Sequence, residues 1–201
     1  MTRFILAVLL LAAQAAAITP KVEAPAPITL RVAMYDYAGL GAKQDAAIEH
    51  QVSRIYAEAG ITIQWETYSR DHAGKLIAAA AYPHTAPAVA VRLLPTAKGL
   101  HLTDGGLAFA PIGGGMASLA MDRVARLAAR TPLPRYLIVA LIAAHEIGHA
   151  LGLQHASGTI MCPHFQPGQI VTLLGEQSWN PRQVSALRLS ASADSTLPTR
   201  L

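Results

Sequence analysis

The stretch "HEIGHALGLQH", residues 145–155, gathers three of the chain's eight histidines into eleven residues. Asp, Glu, Lys and Arg together make up only 14% of the chain, so this concentration of polar groups marks a site. It ends the segment "PRYLIVALIAAHEIGHALG", 134–152, which reads as a long apolar helix. The Leu137–Ala144 run is too short to cross a bilayer and reads as the middle of a buried core helix. Residues four apart on a helix share a face, so His145 and His149 present their imidazoles to a single ion. Glu146 projects from nearly the same side. A straight helix cannot also deliver His155. Gly152 resolves this, because glycine takes the left-handed conformation that ends a helix and turns the chain back. Three neutral imidazoles leave the fourth position of a tetrahedral Zn²⁺ open, as in a catalytic zinc site. Zinc lowers the pKa of its water to about 7, and Glu146 is the expected general base.

Six residues after His155 stands Met161, in "GTIMCP", 158–163. The pattern H-E-x-x-H-x-x-G-x-x-H followed by a methionine turn resembles that of the metzincin metallopeptidases. Met161 with Cys162 and Pro163 is most similar to the matrixin form of that turn. The resemblance implies a zincin-like α/β (α+β) fold: a twisted, mixed, mostly parallel sheet, two long helices behind it and a C-terminal helix in a small lower subdomain. It also implies Zn²⁺ held by His145, His149 and His155, Glu146 as the catalytic residue, and hydrolysis of peptide bonds in a peptide or protein substrate. Met161 becomes an apolar floor beneath the metal, not a ligand. An antiparallel edge strand above the cleft is implied too, and "GLAFAPIGGGMASLA", 106–120, stands in the right place. Gly113, Gly114 and Gly115 there permit either a close backbone approach or a plain surface turn.

The chain departs from the family pattern in places. Pro163 stands two residues after Met161, so the tyrosine contact to zinc of astacin-like members is not expected. No cysteine-switch prodomain fits between leader and first strand, and no aspartate cluster suits structural calcium. Cys162 has two readings, a small buried hydrophobe or a thiolate that approaches zinc and quenches it. His164 is read as a surface histidine, with the cleft wall as the other reading.

The N-terminus, "MTRFILAVLLLAAQAAAITPK", has one arginine, an apolar run and small residues. That is the layout of a signal peptide over 1–17 with cleavage after Ala17. A proline-rich linker, 18–27, and a single catalytic domain, 28–201, follow. The protein is therefore expected to be secreted or periplasmic, monomeric and without a stable membrane anchor once the leader is removed. Cys162 is the only cysteine, so no internal disulfide forms. The net charge of +4 comes with no Lys/Arg cluster, and nucleic acid is not an expected partner.

The remaining elements are legible from periodicity. Strands are expected at 28–37, 61–68 and 88–94, and strand, glycine loop, strand over 106–122. A helix over 43–60 carries Ile48, Val52, Ile55, Tyr56 and Ala59 on one face. A last helix starts at Asn180 as N-cap, with Pro181 and Gln183 behind it. Two other functions compete with a secreted zinc endopeptidase. One is a catalytically silent zinc-binding recognition module, against which the intact Glu146 argues. The other is an amidase or peptidase acting on peptidoglycan cross-links, which nothing in the sequence separates from the first.

Overall fold

Alternation of apolar and polar side chains builds a strand, β1 (Ile28–Asp36), whose Leu30, Val32 and Met34 are fully buried. Glycines at 39 and 41 turn the chain into α1 (Ala42–Ala57), and Gly60, at φ +68, carries it from α1 into β2 (Ile61–Arg70). The computed structural model describes residues 28–70, 75–78, 88–100, 102, 105–175 and 178–195; the expected leader and linker lie outside the described residues. Further elements are β3 (Leu76–Ala78), β4 (Val89–Leu94), β5 (Ala108–Phe109), β6 (Met116–Ala120), α2 (Met121–Ala128), α3 (Arg135–Ala150), α4 (Pro167–Gly175) and α5 (Pro181–Ser195).

The strands form one six-stranded sheet in the order β3-β2-β1-β4-β6-β5. Pairings β1–β2, β1–β4 and β4–β6 are parallel, while β3 and β5 pair antiparallel at the two edges. The sheet is therefore mixed and mostly parallel. Its strands alternate between an inward set, such as Val89, Val91 and Leu93, and a more polar set on the other face, such as Arg92 and Ser118. Helices α1 and α3 pack on the inward side and against each other. From Ile138 to Ala150 every residue of α3 is buried, so its apolar sequence is that of a core helix. The helix α5 buries Leu187 and Ala191 in the same cluster that holds β1 and α3. It packs beside β1, and Arg188 donates to the carbonyls of Ala59 and Gly60.

Three elements go beyond the periodicity reading. β3 has only three residues. α4 opens on Pro167-Gly168, a pair that reads as a turn. α2 follows β6 with no loop, and Ala120 at its N-cap makes no side-chain cap bond. Only the spacing of Met121, Val124 and Leu127, all buried, betrays it. None of the helices among the described residues is long and apolar enough to cross a membrane.

Candidate active site

The end of α3 is closed by hydrogen bonds that also aim its histidines. Leu153 N–H donates to Gly148 C=O and Gly152 N–H to His149 C=O, both at 2.9 Å. This paired closure is the Schellman motif, and it requires a residue of positive φ at Gly152, here +98°. The chain leaves the turn running back along the helix, so the carbonyl of Leu153 meets His149 Nδ1 at 2.7 Å. The carbonyl of Ile160, just before Met161, meets His145 Nδ1 at 2.6 Å. A carbonyl only accepts, so both Nδ1 atoms carry the proton and both Nε2 atoms turn a lone pair outward.

His155 arrives from beyond the turn. Its Nε2 lies 3.1 Å from that of His149. One ligating atom from each of His145, His149 and His155 falls within 4.8 Å of the others. Zinc–nitrogen bonds near 2.0–2.1 Å in a tetrahedron set neighbouring nitrogens about 3.3 Å apart. The donor set therefore fits Zn²⁺. Burial lowers His145 to a pKa of about 4, with His149 and His155 pushing the same way. It is thus neutral and ready to ligate at ordinary pH. His155, more exposed, is lowered as well, by desolvation and then by His149 and His164.

Glu146 lies beside the three histidines in the wall of a cleft of about 860 Å³. Burial raises its carboxyl to about 8. A cation held by the imidazoles would pull it back down, because nearby positive charge favours the carboxylate. The strand β5 and residues 163–165 also line the cleft. Phe165 sets its ring edge-on to His145 at 5.2 Å between centroids. His164 is exposed and lines the cleft, so its two sequence readings coincide.

Beneath the site Met161 is fully buried. A Cβ added at Gly148 would come within 2.7 Å of the Met161 sulfur, so the glycine inside "HEIGH" is the gap into which the methionine packs. The methionine turn is braced from below. Gln183 Nε2 donates to Thr159 Oγ1, and Thr159 Oγ1 in turn accepts from Met161 N–H. Gln183 also completes the expected helix start: its N–H donates to Asn180 Oδ1, and its Oε1 accepts from Asn180 N–H, both at 3.0 Å. From α1, the buried Tyr56 hydroxyl donates to the carbonyl of Ala144 at 3.0 Å, one residue before His145.

The glycine segment makes the close approach that its sequence permits. Gly113 N–H reaches His149 C=O at 2.8 Å, with Gly113 at φ +69. Cys162 turns its thiol to the carbonyl of His164 at 3.3 Å. Among the described residues it does not join the convergent ligand atoms, and burial raises its pKa above the usual thiol value. Half-buried and hydrogen-bonded, Cys162 is neither the fully buried hydrophobe nor a group among the convergent ligand atoms. Phe165, Gly148, Arg123, Arg126 and Arg130 line or support the site without having been singled out from sequence, and Gln183 and Tyr56 were legible there only as helix residues. Only the glycine of H-E-x-G-H stood inside a recognised motif.

The sheet, the helix order and the histidine cluster together are those of a metzincin-type zinc peptidase. Archaemetzincin from Methanopyrus kandleri shares the fold with a TM-score of 0.52 at 15% identity, over 82% of this chain and 96% of that one. A zinc-dependent peptidase from Methanocorpusculum labreanum gives 0.51 at 12% identity, over 78% and 99%. Residues 50–176 match the matrixin family, and the chain belongs to it. No curated protein matches the chain in sequence. The protein is accordingly a zinc metallopeptidase.

Proposed function

We propose that this matrixin is an exported endopeptidase, working in the periplasm or outside the cell, with His145, His149 and His155 as zinc ligands and Glu146 as the proton-transferring residue. The observation that carries the reading is the convergence of three imidazoles beside a buried carboxylate in one open cleft. When bound, Zn²⁺ supplies a Lewis acid that activates water and polarises a carbonyl. The carbonyls of Ile160 and Leu153 keep the Nδ1 protons of His145 and His149 in place, so each ring offers Nε2 in one orientation. Glu146 takes the proton of the attacking water on a carboxylate oxygen and returns it to the departing amine. Burial strengthens its hold on that proton, and a cation on the imidazoles would weaken it. The outer edge of β5 offers main-chain groups to an extended substrate, which gives affinity with little side-chain selectivity.

Full-length protein expressed in a bacterial host should appear in the periplasm or medium starting at Ile18. On that material, Glu146→Gln keeps size and hydrogen bonding but accepts no proton. Zinc content and melting temperature should match the unchanged protein, while cleavage of a mixed peptide library falls by about 10²- to 10⁴-fold. Near-normal cleavage by the zinc-loaded variant refutes the assigned role. An unchanged protein that binds zinc and cuts nothing favours the silent recognition module instead. Products confined to a muropeptide substrate favour the cross-link amidase.

A further inference from the structure

The cleft and the groove beside it differ in charge. Toward α2 the wall carries Arg123, Arg126, Leu127 and Arg130. These are positions i, i+3, i+4 and i+7, one stripe of a helix. The bond from Arg130 N–H to Leu127 C=O, at 3.0 Å, continues the winding past Ala128. Glu146 is the only carboxylate among the described residues that line this cleft. A neighbouring groove, which shares Phe109, Ala110, His149 and His155 with the cleft, has no charged side chain but adds Pro111 and the exposed Ile112.

The arginines are not equivalent. Arg123 donates to the carbonyl of Gly106 at 2.7 Å, holding the approach to β5 in place. Arg126 has an ion pair with Asp122 at 3.5 Å, one turn back on the same helix, with its side chain 68% exposed. Such exposed pairs are weak and break readily. Arg130 is exposed beyond it. Two guanidiniums on the wall of a substrate cleft match a planar carboxylate, which they can grip through paired N–H donors.

We propose that Arg126 and Arg130 form a carboxylate subsite, so that the enzyme selects peptides bearing an acidic group on the α2 side of the scissile bond. The proposal rests on the peptidase reading and names the substrate class of the same cleft. The carboxylate belongs to an Asp or Glu side chain or to the substrate's own C-terminus; both present the same chemistry to the two arginines.

The test uses zinc-loaded enzyme and C-terminally amidated fluorogenic peptides matched in pairs, with Glu or Gln at each position on either side of the cut. At one flank Glu should exceed Gln by about two- to fivefold in kcat/KM, the scale of an exposed ion pair. Rising salt should shrink the ratio. In the Arg126→Gln/Arg130→Gln double variant the ratio should fall to about one, with zinc content and melting temperature unchanged. Free-acid peptides with the cut near the C-terminus, compared with their amides, report whether the chain terminus fills the same place. A second readout needs no turnover: fluorescence anisotropy of labelled Glu and Gln peptides on the Glu146→Gln protein should show the same preference. Equal handling of acid and amide at every position, termini included, overturns the subsite, and so does a preference that survives in the double variant. If the unchanged enzyme cleaves nothing, the peptidase reading fails, and the anisotropy comparison alone decides whether Arg126 and Arg130 bind carboxylates.

Discussion

His155 is the most exposed of the three candidate ligands, while His145 and His149 are buried. Its side chain is held less by packing than by the nitrogen it faces, His149 Nε2 at 3.1 Å. Removing it opens no cavity, but it leaves two imidazoles, which rarely hold Zn²⁺ alone. His155→Ala should therefore fold with a metal-free melting temperature close to that of the unchanged protein and carry well under one zinc per chain. Metal content and thermal unfolding measured on one preparation check this. Full zinc occupancy in the variant would mean that the metal is held by another set of residues. His145 is a different case at the same scale: its carbonyl partner at Ile160 belongs to the methionine turn, so ligand orientation and core packing are tied together there.

At the scale of the element, the end of α3 does two tasks with one turn. Closing the helix through Leu153 N–H and Gly152 N–H satisfies the last carbonyls, and the same turn brings the Leu153 carbonyl to His149 Nδ1. Nothing lies within 4 Å of a Cβ built at Gly152, yet its φ of +98° is one that L side chains rarely adopt. The cost of a side chain there is backbone strain, not collision. Gly152→Ala should lose about 1–2 kcal/mol of stability. Relaxing that strain moves the segment carrying His155, so zinc affinity should fall although every ligand remains. Denaturant unfolding and competitive zinc titration measure the two effects; a variant unchanged in both would show that the turn does not govern the placement of His155.

Across the whole molecule, α1 holds one of several buried carboxylates that the active site does not use. Asp45, in the first turn of α1, is almost fully buried, and its Oδ1 has no hydrogen-bond partner. Its Oδ2 accepts from Ser69 at the end of β2. Burial raises its pKa to about 6, with Asp36 and Glu49 adding to the rise. In the unfolded chain an aspartate titrates near 3.9. The folded protein thus binds this proton more tightly, and the stability it contributes is present below about pH 4 and lost as pH climbs through about 6. Asp45→Asn should remove that loss, making the protein about 1–3 kcal/mol more stable at pH 7 relative to the unchanged chain than at pH 4. Melting curves at the two pH values decide it: an equal difference between variant and unchanged protein at both excludes a titrating Asp45.

The candidate site and the order of the principal elements are legible in the sequence alone. His145, His149, Gly152 and His155 are close in the chain, and helical periodicity with one obligate turn is enough to gather them, so the site needed no distant contact to be read. The same holds for β1, α1, β2, β4 and α3, each of which carries its own apolar period, and for the start of α5, whose Asn180–Gln183 cap is local. What surrounds these features comes from the folded arrangement. The arginine stripe reaches the cleft because α2 follows β6 directly and packs beside α3. Gln183 braces Thr159 across 24 residues, Tyr56 reaches Ala144 across 88, and Met161 fills the space left by Gly148. Such contacts join segments distant in the chain, and the types of the residues involved say nothing of their partners. They follow from the packing of the sheet against its helices, which no local period encodes.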